Sequence, residues 1–326
     1  MKQIQKNYLS KNEENITQII AYKDNELVIE DNRKDFKRED TMNIMSVTKS
    51  VTSLLIGIAI DKGYIKSVDD KIMDYFPKGV YTPKRGEKTI YDIRVKHLLT
   101  MTAPYKGKSE PWKKVCTSED WVITILDSLG GNNHVIGEFR YHTLGTQILL
   151  GIIGSATKMN VLDFANKFLF EPLNIEKRSN ANCITKEDQF NYLMNKGPHG
   201  KVWFLDPKEM PTAGWGLSLS AFEMAQIGLM CLNNGVFNNQ RIVSETWINE
   251  MTKSYVSLDE KFGNQDYGYL WWLPHRTSDI FAAIGDGGNV IYINRKENVV
   301  VAITGYFKPL IFDRVEFIEK NILPAL

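Results

Sequence analysis

The alternation of apolar and polar positions changes character twice along this chain. Residues 16–31, ITQIIAYKDNELVIED, give two short runs rich in Ile, Leu and Val on either side of the polar turn Lys23-Asp24-Asn25-Glu26, the pattern of a β-hairpin. Residues 46–63, SVTKSVTSLLIGIAIDKG, open with hydroxyl side chains suited to a cap, are apolar on nearly every side and end at Gly63, so a buried helix is predicted. From about residue 64 to 205 helical segments follow one another, around 69–75, 93–101, 119–129, 144–158 and 161–170, with no strand pair expected among them. The loops KGKSEPWKK and NKGPHGKVWFLDP are long and carry aromatic residues, as binding loops often do. A further helix is expected over 221–233. Strands are expected at 280–284, 289–293 and 299–304, the last two joined by the turn NRKEN, with an amphipathic helix at 311–323.

Strands at both ends with helices between them predict an α/β (α+β) fold. One antiparallel sheet is built from both termini and flanked by helices in a lobe of residues 1–63 and 205–326, and a mostly helical lobe of residues 64–204 is inserted. The cleft between the lobes is the expected site.

Composition narrows the functional classes. The 326 residues are 43% hydrophobic and 24% charged, with a formal net charge of +1, which argues against nucleic acid or an anionic membrane as the main partner. The opening segment MKQIQKNYLSKNEEN is polar and lacks the apolar stretch of a signal peptide, and no later apolar run has the length that spans a bilayer, so a cytoplasmic location is the expectation. Cys116, Cys183 and Cys231 are odd in number and far apart, which fits buried thiols better than a disulfide framework or a zinc cluster. His97, His134, His142, His199 and His275 show no metal-ligand spacing, and no G-x-S-x-G elbow is present. No metal or cofactor is implied, and no feature specifies an oligomeric state.

Ser46-Val47-Thr48-Lys49 sets a hydroxyl and an amine three residues apart at the start of the buried helix, on one face of its first turn. A helix N-terminus offers free N–H groups and positive potential to a developing oxyanion, and the lysine can assist proton transfer. Spacing alone is weak evidence: Ser155-Ala156-Thr157-Lys158 repeats it, but at the end of a helix, where carbonyls are exposed.

Further segments occur in a fixed order around Ser46: GYIKSVDDKIMDYFP, IRVKHLLTMT, FRYHTLGTQILLGII, AGWGLSLSAFEMAQIGLMCLNNG, YGYLWW and IGDGGNVIYIN. With these segments the chain resembles the serine β-lactamase and penicillin-binding protein superfamily, in particular its class C β-lactamase, esterase and D-amino-acid peptidase branch. The resemblance implies a β-lactamase/transpeptidase-like fold, Ser46 as nucleophile and Lys49 as its activator. The family's Tyr-x-Asn motif falls on Tyr141-His142-Thr143, which gives Tyr141 the role of proton shuttle; Thr143 is a departure, a hydroxyl where the family has an amide. The third motif, Lys-Thr-Gly or His-x-Gly, falls on Asp286-Gly287-Gly288. There an aspartate would repel the carboxylate of penicillins and peptide C-termini, while the glycines leave room for substrate backbone. By the same resemblance the backbone N–H groups of Ser46 and Asn289 form the oxyanion hole. Tyr105, Trp112, Trp203 and Trp215 lie in loops that the family uses to line its cleft.

These readings converge on a serine hydrolase that forms an acyl-enzyme with a small-molecule ester, amide or short peptide. The alternatives are a non-catalytic penicillin-binding-like sensor and a weak β-lactamase or D-peptidase.

Overall fold

Ile16–Lys23 (β1) and Glu26–Asn32 (β2) pair as an antiparallel hairpin whose turn residues Asp24 and Asn25 sit at φ 51° and 63°. Asp and Asn tolerate that left-handed region better than other side chains, which is why the turn falls there. These coordinates come from a computed structural model that describes residues 13–84, 87–131, 135–183 and 185–326; His134 and the first part of the polar opening segment lie outside the described residues.

The hairpin belongs to an eight-stranded sheet completed by Val256–Ser257 (β3), Asp266–Tyr267 (β4), Trp272–Leu273 (β5), Ile280–Gly285 (β6), Asn289–Asn294 (β7) and Val299–Gly305 (β8). Its order is β2-β1-β8-β7-β6-β5-β4-β3, with every pairing antiparallel. Ile20 of β1 lies opposite Ala302 of β8, so strands from the two ends of the chain meet side by side. The long inner strands β1, β6, β7 and β8 are buried on both faces because both are covered, whereas the edge strand β2 is largely open. One face receives the helices Val47–Asp61 (α1) and Ala221–Leu232 (α2), and the other packs Val315, Ile318 and Ile322 against Ile19, Tyr292 and Val301. Every residue of α1 from Val47 to Ala59 is buried, the polar side chains of its first two turns included.

Several expected elements come out differently. The segment around 69–75 holds only the 3-10 turn Ile72–Asp74, because the Asp70 carboxylate accepts from the N–H groups of Lys66 and Ser67 and from Tyr75 Oη, a local network that competes with helix. The region 64–205 does contain a strand pair, Ser179–Asn180 beside Val202–Trp203 in parallel. The closing helix starts at Val315 rather than 311, since Leu310 has φ 67° and Asp313 Oδ1 accepts the Val315 N–H at 3.0 Å. The helices Trp112–Cys116, Lys186–Met194 and Glu245–Met251 and the short strands β3 to β5 on one side of the sheet were not anticipated. Among the described residues no single helix is long and apolar enough to cross a membrane.

Candidate active site

The entry to α1 is a sharp corner. Met45 has φ 50°, a left-handed conformation that costs a non-glycine residue energy, and it is held there by its N–H donating to Asn43 Oδ1 at 3.1 Å. The same oxygen accepts the Gly216 N–H at 3.2 Å, so Asn43 ties the corner to the AGWG segment. Ser46 follows as the residue before the helix, and its hydroxyl makes no capping bond. That hydroxyl is instead met by Lys49, whose Nζ donates to Ser46 Oγ at 2.8 Å and to the Gly214 carbonyl at 2.9 Å.

Lys49 is 1% exposed, one of the largest fully buried side chains in the protein. A polar head buried this deeply needs partners around it. Besides Ser46 and Gly214, the face of the Tyr141 ring supplies one, its centroid 4.9 Å from Nζ. Gly214 can present its carbonyl there because it has no side chain: a Cβ would lie 2.7 Å from Thr143 Cγ2 and 2.9 Å from the Thr143 carbonyl. Gln147 fixes this segment, accepting the Ala213 N–H and donating to the Pro211 carbonyl. Tyr141 is stacked on Trp272, with centroids 5.8 Å apart.

These groups open into a cavity of about 480 Å³ lined by Ser46, Tyr141 and Thr143, by Ile284 to Asp286 at the end of β6, and by an aromatic and charged rim that includes Phe262, Trp272 and Phe312. Strand β6 abuts the start of α1 so closely that a Cβ on Gly285 would sit 2.4 Å from the Ile44 carbonyl and 2.9 Å from Ser46 N. Among the described residues neither the Ser46 nor the Asp286 N–H meets a hydrogen-bond acceptor. The Asp286 side chain is open to the cavity, but the cavity walls strip it of water enough to raise its carboxyl above the ordinary range, with Lys49 pulling the other way.

Other expected site residues stand elsewhere. Asn289 is fully buried, its side chain bonded to the carbonyls of Asp286 and Gly305 and to the Gly305 N–H, so it braces the turn behind the cavity and does not border it. Gly287 and Gly288 turn away at φ 81° and 76°. Trp203 is a core residue with its indole N–H on the Thr212 carbonyl, Trp215 packs on Phe204, Trp112 is solvent-exposed, and Tyr105 is buried under His142. None of these four lines the cavity; Trp272, Phe262, Phe312, Lys261, Gln265 and Asp313 do. Of these, only Trp272 had a signal, in the segment YGYLWW. Ser155 of the repeated spacing donates to the Tyr75 carbonyl, far from this cleft in role and surroundings.

The family model described as Beta-lactamase matches residues 17–307. Over 308 residues the chain is 21% identical to the 6-aminohexanoate-dimer hydrolase of Paenarthrobacter ureafaciens, which covers 89% of this chain and 72% of that protein. Among solved structures it is similar to a D-stereospecific amidohydrolase from a Streptomyces species, with TM-score 0.68 and 15% identity over 94% of this chain and 93% of that one. It is likewise similar to the octameric penicillin-binding protein homologue from Pyrococcus abyssi, with TM-score 0.65 and 21% identity over 91% and 71%. At such identities the structural likeness shows a shared fold.

Proposed function

The chain belongs to the beta-lactamase family and is a hydrolase, and from that premise we propose that it cleaves an ester or amide bond of a small substrate through an acyl-enzyme on Ser46. The observation that carries this reading is the 2.8 Å contact of the buried Lys49 amine with a hydroxyl that faces a cavity. The substrate carbonyl oxygen sits between the N–H groups of Ser46 and Asp286, the pair left free at the junction of α1 and β6. Asp286 N–H thus replaces Asn289 N–H as the second donor. Ser46 Oγ adds to the carbonyl carbon while its proton passes to the Lys49–Tyr141 pair; the bond to the leaving group then breaks as Tyr141 returns a proton to it. Water adds to the acyl-enzyme, frees the acid and restores the Ser46 hydroxyl.

The substrate class follows from charge. The Asp286 carboxylate, on the residue whose N–H borders the cavity, disfavours substrates with a carboxylate beside the scissile bond and suits those with an amine. Support comes from the accessible position of Asp286 on the cavity wall and from the aromatic rings of Tyr141, Trp272 and Phe262, whose faces attract a cation. The similarity to a 6-aminohexanoate-dimer hydrolase and to a D-stereospecific amidohydrolase makes amides a natural test set.

The experiment is turnover of nitrophenyl butyrate, then of matched amine-bearing and neutral esters and amides, by wild type, Ser46→Ala and Asp286→Ala. A burst lost in Ser46→Ala and an amine preference lost in Asp286→Ala are expected. Turnover by Ser46→Ala at the wild-type rate would remove the acyl-enzyme reading, and an unchanged amine preference in Asp286→Ala would remove the substrate class alone.

A further inference from the structure

Tyr141 is followed by a turn whose first N–H groups have no partners within their own helix. Thr143 donates to Glu110 Oε1 at 2.9 Å and Leu144 to Glu110 Oε2 at 2.8 Å, while Gly145 donates to His142 Nδ1 at 2.9 Å. The 3-10 turn Leu144–Thr146 and the helix Gln147–Thr157 that continues from it are therefore capped by a carboxylate from more than thirty positions upstream. His142 completes the cap as a neutral ring. Its Nδ1 is an acceptor, burial pushes its pKa down to about 3, with Arg140 and Lys49 adding to the effect, and it is stacked on Tyr105 with centroids 3.6 Å apart. The 3.6 Å approach of Glu110 to that nitrogen is accordingly no ion pair; both acceptors converge on one cluster of N–H groups.

We infer that Glu110 is a positioning residue for the hydrolytic reaction: its two-pronged grip on the Thr143 and Leu144 N–H groups fixes the backbone that aims Tyr141 at Lys49. The inference rests on the acyl-enzyme reading above and extends it to a residue outside the cavity lining. Thr143 is the link. Its N–H is held by Glu110, its carbonyl accepts from Thr146, and its methyl and carbonyl flank Gly214, whose own carbonyl binds Lys49. Release of the carboxylate frees the turn on the side that faces Ser46 while leaving the helix Gln147–Thr157 anchored through Gln147. The damage then falls on the aim of Tyr141 rather than on the fold.

The test is a double-mutant cycle on nitrophenyl butyrate with wild type, Glu110→Ala, Tyr141→Phe and the double variant, alongside Ser46→Ala and thermal unfolding of each. Glu110→Ala is expected to lower kcat by about 10- to 100-fold with KM moved by less than about threefold. In the Tyr141→Phe background the same change is expected to cost less than about twofold, since the group it serves is already gone. Glu110→Gln keeps one acceptor and is expected to fall between; it carries the cycle if Glu110→Ala does not fold. Equal losses in both backgrounds, or a wild-type rate in Glu110→Ala, would overturn the inference. A wild-type rate in Ser46→Ala would instead mark the failure of the acyl-enzyme reading, and the positioning role would fall with it.

Discussion

Gly285→Ala tests whether the junction of β6 and α1 is the reacting geometry. The added carbon would lie 2.4 Å from the Ile44 carbonyl oxygen, 2.9 Å from Ser46 N and 3.0 Å from Val47 N, all of them backbone atoms. Unstrained heavy-atom contacts of carbon begin at about 3.5 Å, so strand and helix must separate by about 1 Å. On its other side β6 is held by its ladder to β7, with Gly285 opposite Asn289, and the shift falls on the Ser46 side. Overpacking of this kind costs about 1–3 kcal/mol of stability, and a displacement of about 1 Å in a catalytic arrangement costs about 100-fold in rate. The assay is steady-state hydrolysis of nitrophenyl butyrate with urea unfolding in parallel. A kcat lowered about 100-fold with the fold intact is expected. Gly154→Ala is the control: its Cβ would meet only the side-chain ends of Met210 and Val161, at 3.3 Å, and the rate is expected to stay at the wild-type value. A Gly285→Ala enzyme within about twofold of wild type would refute the reasoning, because the two N–H groups would then tolerate the displacement.

Other consequences are as direct. Tyr141→Phe keeps the ring over Lys49 and removes the phenol, so kcat should fall by about 100- to 10,000-fold with little change in KM; an unaffected kcat would take proton transfer away from this residue. Ser155→Ala breaks only the bond to the Tyr75 carbonyl and should leave kcat unchanged at a stability cost of about 1 kcal/mol, whereas a large loss of activity would make the second Ser-x-x-Lys the functional one. Burial raises the Asp206 carboxyl from 3.8 to about 6, so the folded chain binds this proton more tightly than the unfolded one. Its contribution is therefore most favourable below pH 3.8 and declines as pH rises through about 6. Urea unfolding of Asp206→Asn should show this part of the slope, about 2 kcal/mol between pH 4 and 7, removed; identical slopes in both proteins would contradict it.

The elements read correctly from sequence are those whose patterns are local. The hairpin at 16–31 is fixed by its own turn residues, and α1 is apolar from Leu54 to Ile60 because sheet and helices enclose it. Lys49 stands out for the same reason: an amine in the first turn of a buried helix has to meet partners, and Ser46 is one turn away. Interactions between distant segments were hidden. The strand β6 ends at Gly285, not beyond, because Asp286 to Gly288 form the tight turn into β7, and that register puts Asp286 N–H rather than Asn289 N–H at the cavity. Trp203 and Tyr105 were expected to line the cleft by resemblance to the family's loops, yet each folds its aromatic ring inward against the core. Phe262 and Phe312 reach the cavity from loops whose positions are set by β3, β4 and the end of β8, strands too short or too far along the chain to announce them. Glu110 was hidden for a related reason: a lone glutamate in a charged loop gives no sign that the N–H groups it accepts from lie more than thirty residues on.

The most direct test of the central claim is chemical labelling. Wild type is incubated with a fluorophosphonate, and the adduct is located by peptide mass mapping, with Lys49→Ala and Ser46→Ala treated in the same way. The account predicts one adduct, on the peptide that holds Ser46, formed far more slowly in Lys49→Ala and absent in Ser46→Ala. An unmodified Ser46 in the active protein, or an adduct that forms equally fast without the Lys49 amine, would contradict it.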